Sequence, residues 1–137
     1  MKALLISSFL LLPVIAQAEM LVVQAKGFAS DKGEAAIAVY RDADAFPMKI
    51  EKSVAKVRVK IVGGEAKAEF AALPAGRYAV AVYHDANNNN KMDTNFLGIP
   101  KEATGASRNP KGRMGPPKFA DASFDFPTAE AIVIQMK

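Results

Sequence analysis

Asp85, Asn87, Asn89 and Asp93 place a side-chain oxygen at the first, third, fifth and ninth positions of one short segment, D-A-N-N-N-N-K-M-D. Lys91, at the seventh, adds a backbone carbonyl. This is the spacing by which a loop wraps oxygen ligands around calcium, a hard cation that tolerates irregular geometry. These residues supply about five or six contacts, where a full shell takes roughly six to eight. Glu102 is the nearest carboxylate able to complete it, delivered back by a turn at Gly98-Ile99-Pro100. Calcium is therefore the expected cofactor, with Asp85, Asn87, Asn89, Lys91, Asp93 and Glu102 as its ligands.

Two positions depart from the helix-loop-helix calcium hand. The twelfth is Phe96 rather than Glu, and the sixth is Asn90 rather than Gly. Asparagine tolerates the left-handed backbone that the sixth position needs, so the second change is mild. The first excludes a helix-loop-helix hand. The alternative to a metal is a loop knitted by itself, since Asp and Asn side chains hydrogen-bond the backbone two residues on.

Catalytic chemistry has less to work with. His84 is the only histidine and abuts Asp85. A hydrolase or carbohydrate-active enzyme would use His84 with Asp85 or Glu102, but no nucleophile-elbow motif accompanies them. One histidine and scattered methionines are too few for a transition-metal site. No catalytic residue is assigned. His84, Asn95, Ser107 and Asn109 are instead expected to form a polar surface for a protein or glycan ligand. A further alternative is a structural part of an envelope assembly that offers a sheet edge to a partner strand.

The segments that must position this loop alternate in polarity with a period of two, the mark of strands with one buried face. Val57, Val59 and Ile61 oppose Arg58 and Lys60; Ala66, Ala68 and Phe70 oppose Glu65, Lys67 and Glu69; Tyr78, Val80 and Val82 share a face just before the loop. Met20 to Lys26, Ala35 to Tyr40, Phe124 to Phe126 and Ile132 to Met136 complete about seven strands. Gly63-Gly64 signals a hairpin and Leu73-Pro74-Ala75-Gly76 a turn. The predicted fold is all-β: a single two-sheet antiparallel β-sandwich with a long polar loop over 85–118. That loop is expected to carry no strand, and to be pinned to the body by Phe96, Leu97 and Ile99.

The ends and the composition set the class. A basic Met1-Lys2, an apolar run from Ala3 to Ile15 and the small-x-small Ala16-Gln17-Ala18 read as a signal peptide over 1–18. Cleavage leaves a domain over 19–137, with no transmembrane span and a periplasmic or secreted location. The chain has no cysteine, so stability must come from a core or a bound ion. The mature part holds 17 basic and 14 acidic residues. This small, scattered excess excludes nucleic acid as the expected partner.

The run L-P-A-G-R-Y-A-V-A-V-Y-H-D-A-N-N-N-N-K-M-D-T-N-F-L-G-I-P-K-E, followed by G-A-S-R-N and then G-P-P-K-F-A-D-A-S-F, resembles a family of small exported bacterial proteins that carries only a domain-of-unknown-function label. The resemblance spans Leu21 to Met136. It implies a periplasmic or secreted sandwich, immunoglobulin-like or transthyretin-like, with Gly more usual than Asn at position 90. It implies no activity and no catalytic residue.

Overall fold

The computed structural model describes residues 20–97, 101–111 and 115–137. The segment read as a signal peptide lies outside the described residues, as does the turn at 98–100. Among the described residues eight strands form: β1 (Met20–Lys26), β2 (Glu34–Tyr40), β3 (Ala55–Lys60), β4 (Glu65–Ala71), β5 (Gly76–Asp85), β6 (Thr104–Ala106), β7 (Phe124–Phe126) and β8 (Ile132–Gln135). One sheet has the order β4-β1-β8; the other runs β3-β2-β5-β6, with β7 also pairing β5. The chain is an all-β sandwich, as the alternation predicts.

Between the sheets lies an apolar core that includes Leu21, Val23, Ile37, Val39, Tyr78, Val80, Val82, Phe126 and Ile134. Strand β4 follows the period of two without exception: Ala66, Ala68 and Phe70 are buried and their neighbours exposed. The β3–β4 hairpin turns at Gly63 and Gly64, both in the left-handed region (φ 62° and 74°), where an L side chain would be strained. The carboxylate of Asp31 accepts both of their N–H groups, at 2.9 and 2.8 Å. Those two bonds hold the Asp31 carboxyl below its usual range.

Three features differ from the sequence reading. First, β1 and β8 pair in parallel, Val23 opposite Ile132 and Lys26 opposite Gln135, although every other pairing is antiparallel. Alternation reports which face is buried and carries no information on strand direction.

Second, β2 is buried on both faces. Its outer face and that of β5 carry Ala38, Tyr40 and Ala79, which a second apolar cluster covers with Ala45, Phe46, Ala106 and Ala122. The covering pieces are the excursion after β2, ending in a 3-10 turn at Ile50–Lys52, and a short helix α1 (Phe119–Ala122). Alanine at the outward positions leaves room for this second layer. Tyr40 donates its hydroxyl to the Pro47 carbonyl at 3.1 Å, and burial pushes its pKa up to about 12.

Third, the segment expected to hold no strand contains β6, paired with β5 through Ala81↔Ala106 and Tyr83↔Thr104. Thr-Gly-Ala is too short and too weakly apolar to show a period. The backbone of Thr104 exchanges two hydrogen bonds with Lys137, at 3.2 and 2.9 Å, so β6 ties the end of the β8 arm to the other sheet. Phe96 and Leu97 do not pin the loop to the body: they are 95% and 68% exposed.

Candidate functional site

Strand β5 carries the loop. Successive side chains on a strand point to opposite faces, and this splits the two residues at its end. His84 turns inward, where its ring meets Phe28 edge-on at 5.3 Å and its Nε2 hydrogen-bonds the Lys32 carbonyl at 2.6 Å. Asp85 turns outward and is fully buried under the loop it begins. The two adjacent residues do not share a site.

Asp85 organises the first turn of the loop. Its Oδ1 accepts the Asn89 N–H at 3.2 Å and its Oδ2 the Asn90 N–H at 2.8 Å. Asn90 takes φ 64°, the left-handed conformation expected at the sixth position. Beneath the loop, Gly33 approaches so closely that a Cβ there would stand 1.9 Å from the Asp85 carbonyl oxygen.

The other loop residues gather about Asp93. Asn87 Nδ2 and Asn89 Nδ2 donate to its two carboxylate oxygens, each at 2.7 Å. Those bonds hold the Asp93 carboxyl below its ordinary range. The Oδ1 atoms of the same asparagines accept the N–H groups of Asn89 and Lys91. Asn95 Oδ1 accepts the Leu97 N–H at 2.9 Å. The self-knitting pattern of Asx turns is therefore present at Asn87, Asn89 and Asn95.

Glu102 returns to the same cluster. One of its carboxylate oxygens, Oε2, is buried without a hydrogen-bond partner. Burial, then a hydrogen bond and charge from Asp93 and charge from Asp85, push its pKa up to about 7. Among the described residues, no three His, Cys, Asp or Glu side chains are already gathered at ligand spacing. The counter-charge to Asp85 is supplied instead by Arg58, a residue that strand alternation alone does not single out. Its Nη2 lies 2.5 Å from Asp85 Oδ2 and 3.3 Å from Asn88 Oδ1, while its Nε faces Glu34 at 3.5 Å. Only the register reveals this: Arg58 and Tyr83 both pair with Ala36, whose small side chain lets the guanidinium pass.

The remaining candidates go elsewhere. Ser107 is fully buried, taking the Val80 N–H at 2.9 Å and donating to the Ala122 carbonyl at 2.6 Å. Asn109 grips β8 like a strand neighbour, donating to the Val133 carbonyl and accepting the Gln135 N–H. Both are structural ties rather than a surface shared with His84. On the outer face, Tyr83 and Asn90 border a cleft of about 460 Å3 with Ala36, Ile50, Lys56 and Arg58.

A model of bacterial proteins matches residues 23–134, loop and strands together. The chain belongs to the DUF2141 family of uncharacterised proteins conserved in bacteria. No curated protein and no solved structure matches the chain. Membership of DUF2141 thus brings a shared sequence pattern and no activity. Among the described residues of this DUF2141 chain, no helix is long and apolar enough to cross a membrane.

Proposed function

We propose that the chain is an exported, non-enzymatic binding module whose Asp85–Glu102 loop takes calcium. The observation that carries this reading is the orphaned Oε2 of Glu102, buried within the electrostatic reach of the Asp93 and Asp85 carboxylates. Buried polar atoms are almost always partnered, and three acidic groups brought into one another's field repel. A divalent cation answers both at once.

The fit is partial and has a definite cost. Asp85, Asn87, Asn89, Asp93 and Glu102 would hold the ion with side-chain oxygens, and Lys91 with its carbonyl. The Asn87 and Asn89 amides present nitrogen to Asp93; turning each amide over presents oxygen instead, since the two ends are nearly isosteric. Binding therefore exchanges two amide–carboxylate hydrogen bonds, the two backbone N–H bonds that the same amides accept, and part of the Arg58 contact, for ion–oxygen contacts. When bound, the ion offsets the ordering entropy of the loop. The cleft bordered by Tyr83 and Asn90 is the surface this ordering would present to a protein or glycan ligand.

The test is a melting curve of the metal-stripped chain with chelator, calcium or magnesium. A ligand selective for the folded state must raise its stability. Calcium is expected to raise the melting temperature more than magnesium, and Asp93→Ala to abolish the rise. An unchanged curve in all three conditions would leave a loop held by its hydrogen bonds alone.

A further inference from the structure

The outer face of the larger sheet reads in rows across β3, β2 and β5. Lys60, Glu34 and Asp85 make one row; Arg58, Ala36 and Tyr83 make the next; Lys56, Ala38 and Ala81 make the third. The acids of the first row also reach Arg58 in the second. The third row holds no acid, and the exposed Lys56 has no ion-pair partner among the described residues. Over the small Ala36 opens the cleft of about 460 Å3, walled by Ile50, Tyr83 and Asn90 and edged by Lys56 and Arg58. That volume suits one small organic molecule, and apolar walls with a few converging polar groups are the usual make-up of such a site.

The chemistry of the lining selects the occupant. Lys56 and Arg58 are cations that only donate hydrogen bonds. They stand two residues apart on one strand face, about 7 Å along the strand, so both long side chains can meet a single carboxylate. No carboxylate lines the cleft among the described residues. Asp85 is fully buried under the loop, Glu34 stands across from Lys60, and Glu51 beside Ile50 is followed by Lys52. Asp85 and Glu102 act on Tyr83 through space alone. These acids offset much of the long-range attraction for an anion, so selection is by contact, and at contact range the charged groups are cations. A neutral sugar would need acceptors for its hydroxyls, yet the lining side chains offer only Asn90 and the Tyr83 oxygen, which Arg58 already engages. We propose that this cleft binds an organic carboxylate with a compact apolar body, its charge held by Lys56 and Arg58 and its body set against Ile50 and Tyr83. The inference narrows the ligand of the binding module proposed above and takes nothing from its calcium.

The experiment is a titration of the full chain, in chelator, followed by the NMR shifts of its backbone amides. The probes are cyclohexanecarboxylate, its neutral isostere cyclohexanecarboxamide, and glucuronate. Cyclohexanecarboxylate is expected to move the amides of Ile50, Lys56, Arg58, Tyr83 and Asn90 with a dissociation constant of about 10 mM or tighter, and the carboxamide to bind about tenfold more weakly. Lys56→Met should weaken the carboxylate about fivefold or more, and keep the parent's melting temperature because Lys56 is exposed. Lys67→Met, exposed on the other sheet, should bind as the parent does. Equal binding of carboxylate and carboxamide, an unchanged constant in Lys56→Met, or no saturable shift at these amides by about 100 mM would overturn the proposal. Glucuronate binding more tightly than cyclohexanecarboxylate would overturn the apolar body and assign the cleft to a sugar acid. With chelator present throughout, a failed titration leaves the calcium melting curve untouched, and an absent calcium shift leaves the cleft standing.

Discussion

Arg58 reaches diagonally across β2, over the small side chain of Ala36, to meet Asp85 at 2.5 Å on β5. The carboxylate is wholly buried and the guanidinium side chain 28% exposed. One cation borrowed from a neighbouring strand thus holds the first residue of the loop. Arg58→Met should lower stability by about 2 kcal/mol, less than a fully buried pair because solvent reaches the arginine. Urea unfolding in chelator measures this. Calcium should stabilise the variant more than the parent, since the ion would then be the only counter-charge to Asp85. Equal unfolding midpoints for variant and parent would show that the pair contributes nothing net.

Gly33 offers a test of how tightly the loop sits on β2. It has φ 66°, and a Cβ there would collide with the Asp85 carbonyl; Gly63 has φ 62° but nothing within 4 Å. Gly63→Ala isolates the left-handed backbone penalty, about 1 kcal/mol. Gly33→Ala adds displacement of the loop, so its cost should exceed that of Gly63→Ala by at least about 1 kcal/mol. Chemical denaturation of the two variants side by side reads the difference. Equal costs would mean that the loop shifts freely.

The Glu102 carboxyl makes stability depend on pH in an unusual direction. Its ordinary value is 4.5 and the folded chain pushes it up to about 7, so the folded chain holds the proton more tightly than the unfolded one. The contribution is fully present below the unfolded value and is lost as pH rises through about 7. Asp93, held low, acts oppositely: its contribution is present above 3.8 and lost as pH falls. In chelator, the urea midpoint should fall between about pH 5 and about pH 8. Glu102→Gln should flatten that fall. Calcium, competing with the same proton, should bind more tightly across the same rise; a pH-independent affinity would remove Glu102 from the ligand set.

His84 is expected to report on the core and not on an activity. His84→Ala removes the hydrogen bond to the Lys32 carbonyl and the edge contact with Phe28. The loss should be about 2–3 kcal/mol in thermal or urea unfolding. Unchanged stability would reopen the residue to other roles.

Much of the sandwich was legible because its strands obey a period of two. Ala66, Ala68 and Phe70 announced the buried face of β4, and Gly63-Gly64 its hairpin. The spacing of Asp85, Asn87, Asn89 and Asp93 likewise announced a loop whose side chains converge. What stayed hidden depends on register and on contacts between distant segments. Arg58 looked like one charge on a solvated face until β2 set it across from Asp85. Phe96 and Leu97 read as anchors because apolar residues usually return to a core, yet both stay exposed. Ser107 and Asn109 looked like site residues because polar side chains that tie strands together are the same types that bind ligands.

The first strand of the sheet pairs with the last, Val23 with Ile132 and Ala25 with Ile134. A chain emerging N-terminus first can pair β1 with β4 once residues 20–71 are out, but β1 keeps one bare edge until β8 arrives. Closing so long a loop is slow, and an unpaired edge invites pairing with another chain. Assembly of this sheet is therefore deferred until β8 has been made. Truncation before Ile132 would turn a finishing step into an aggregation site.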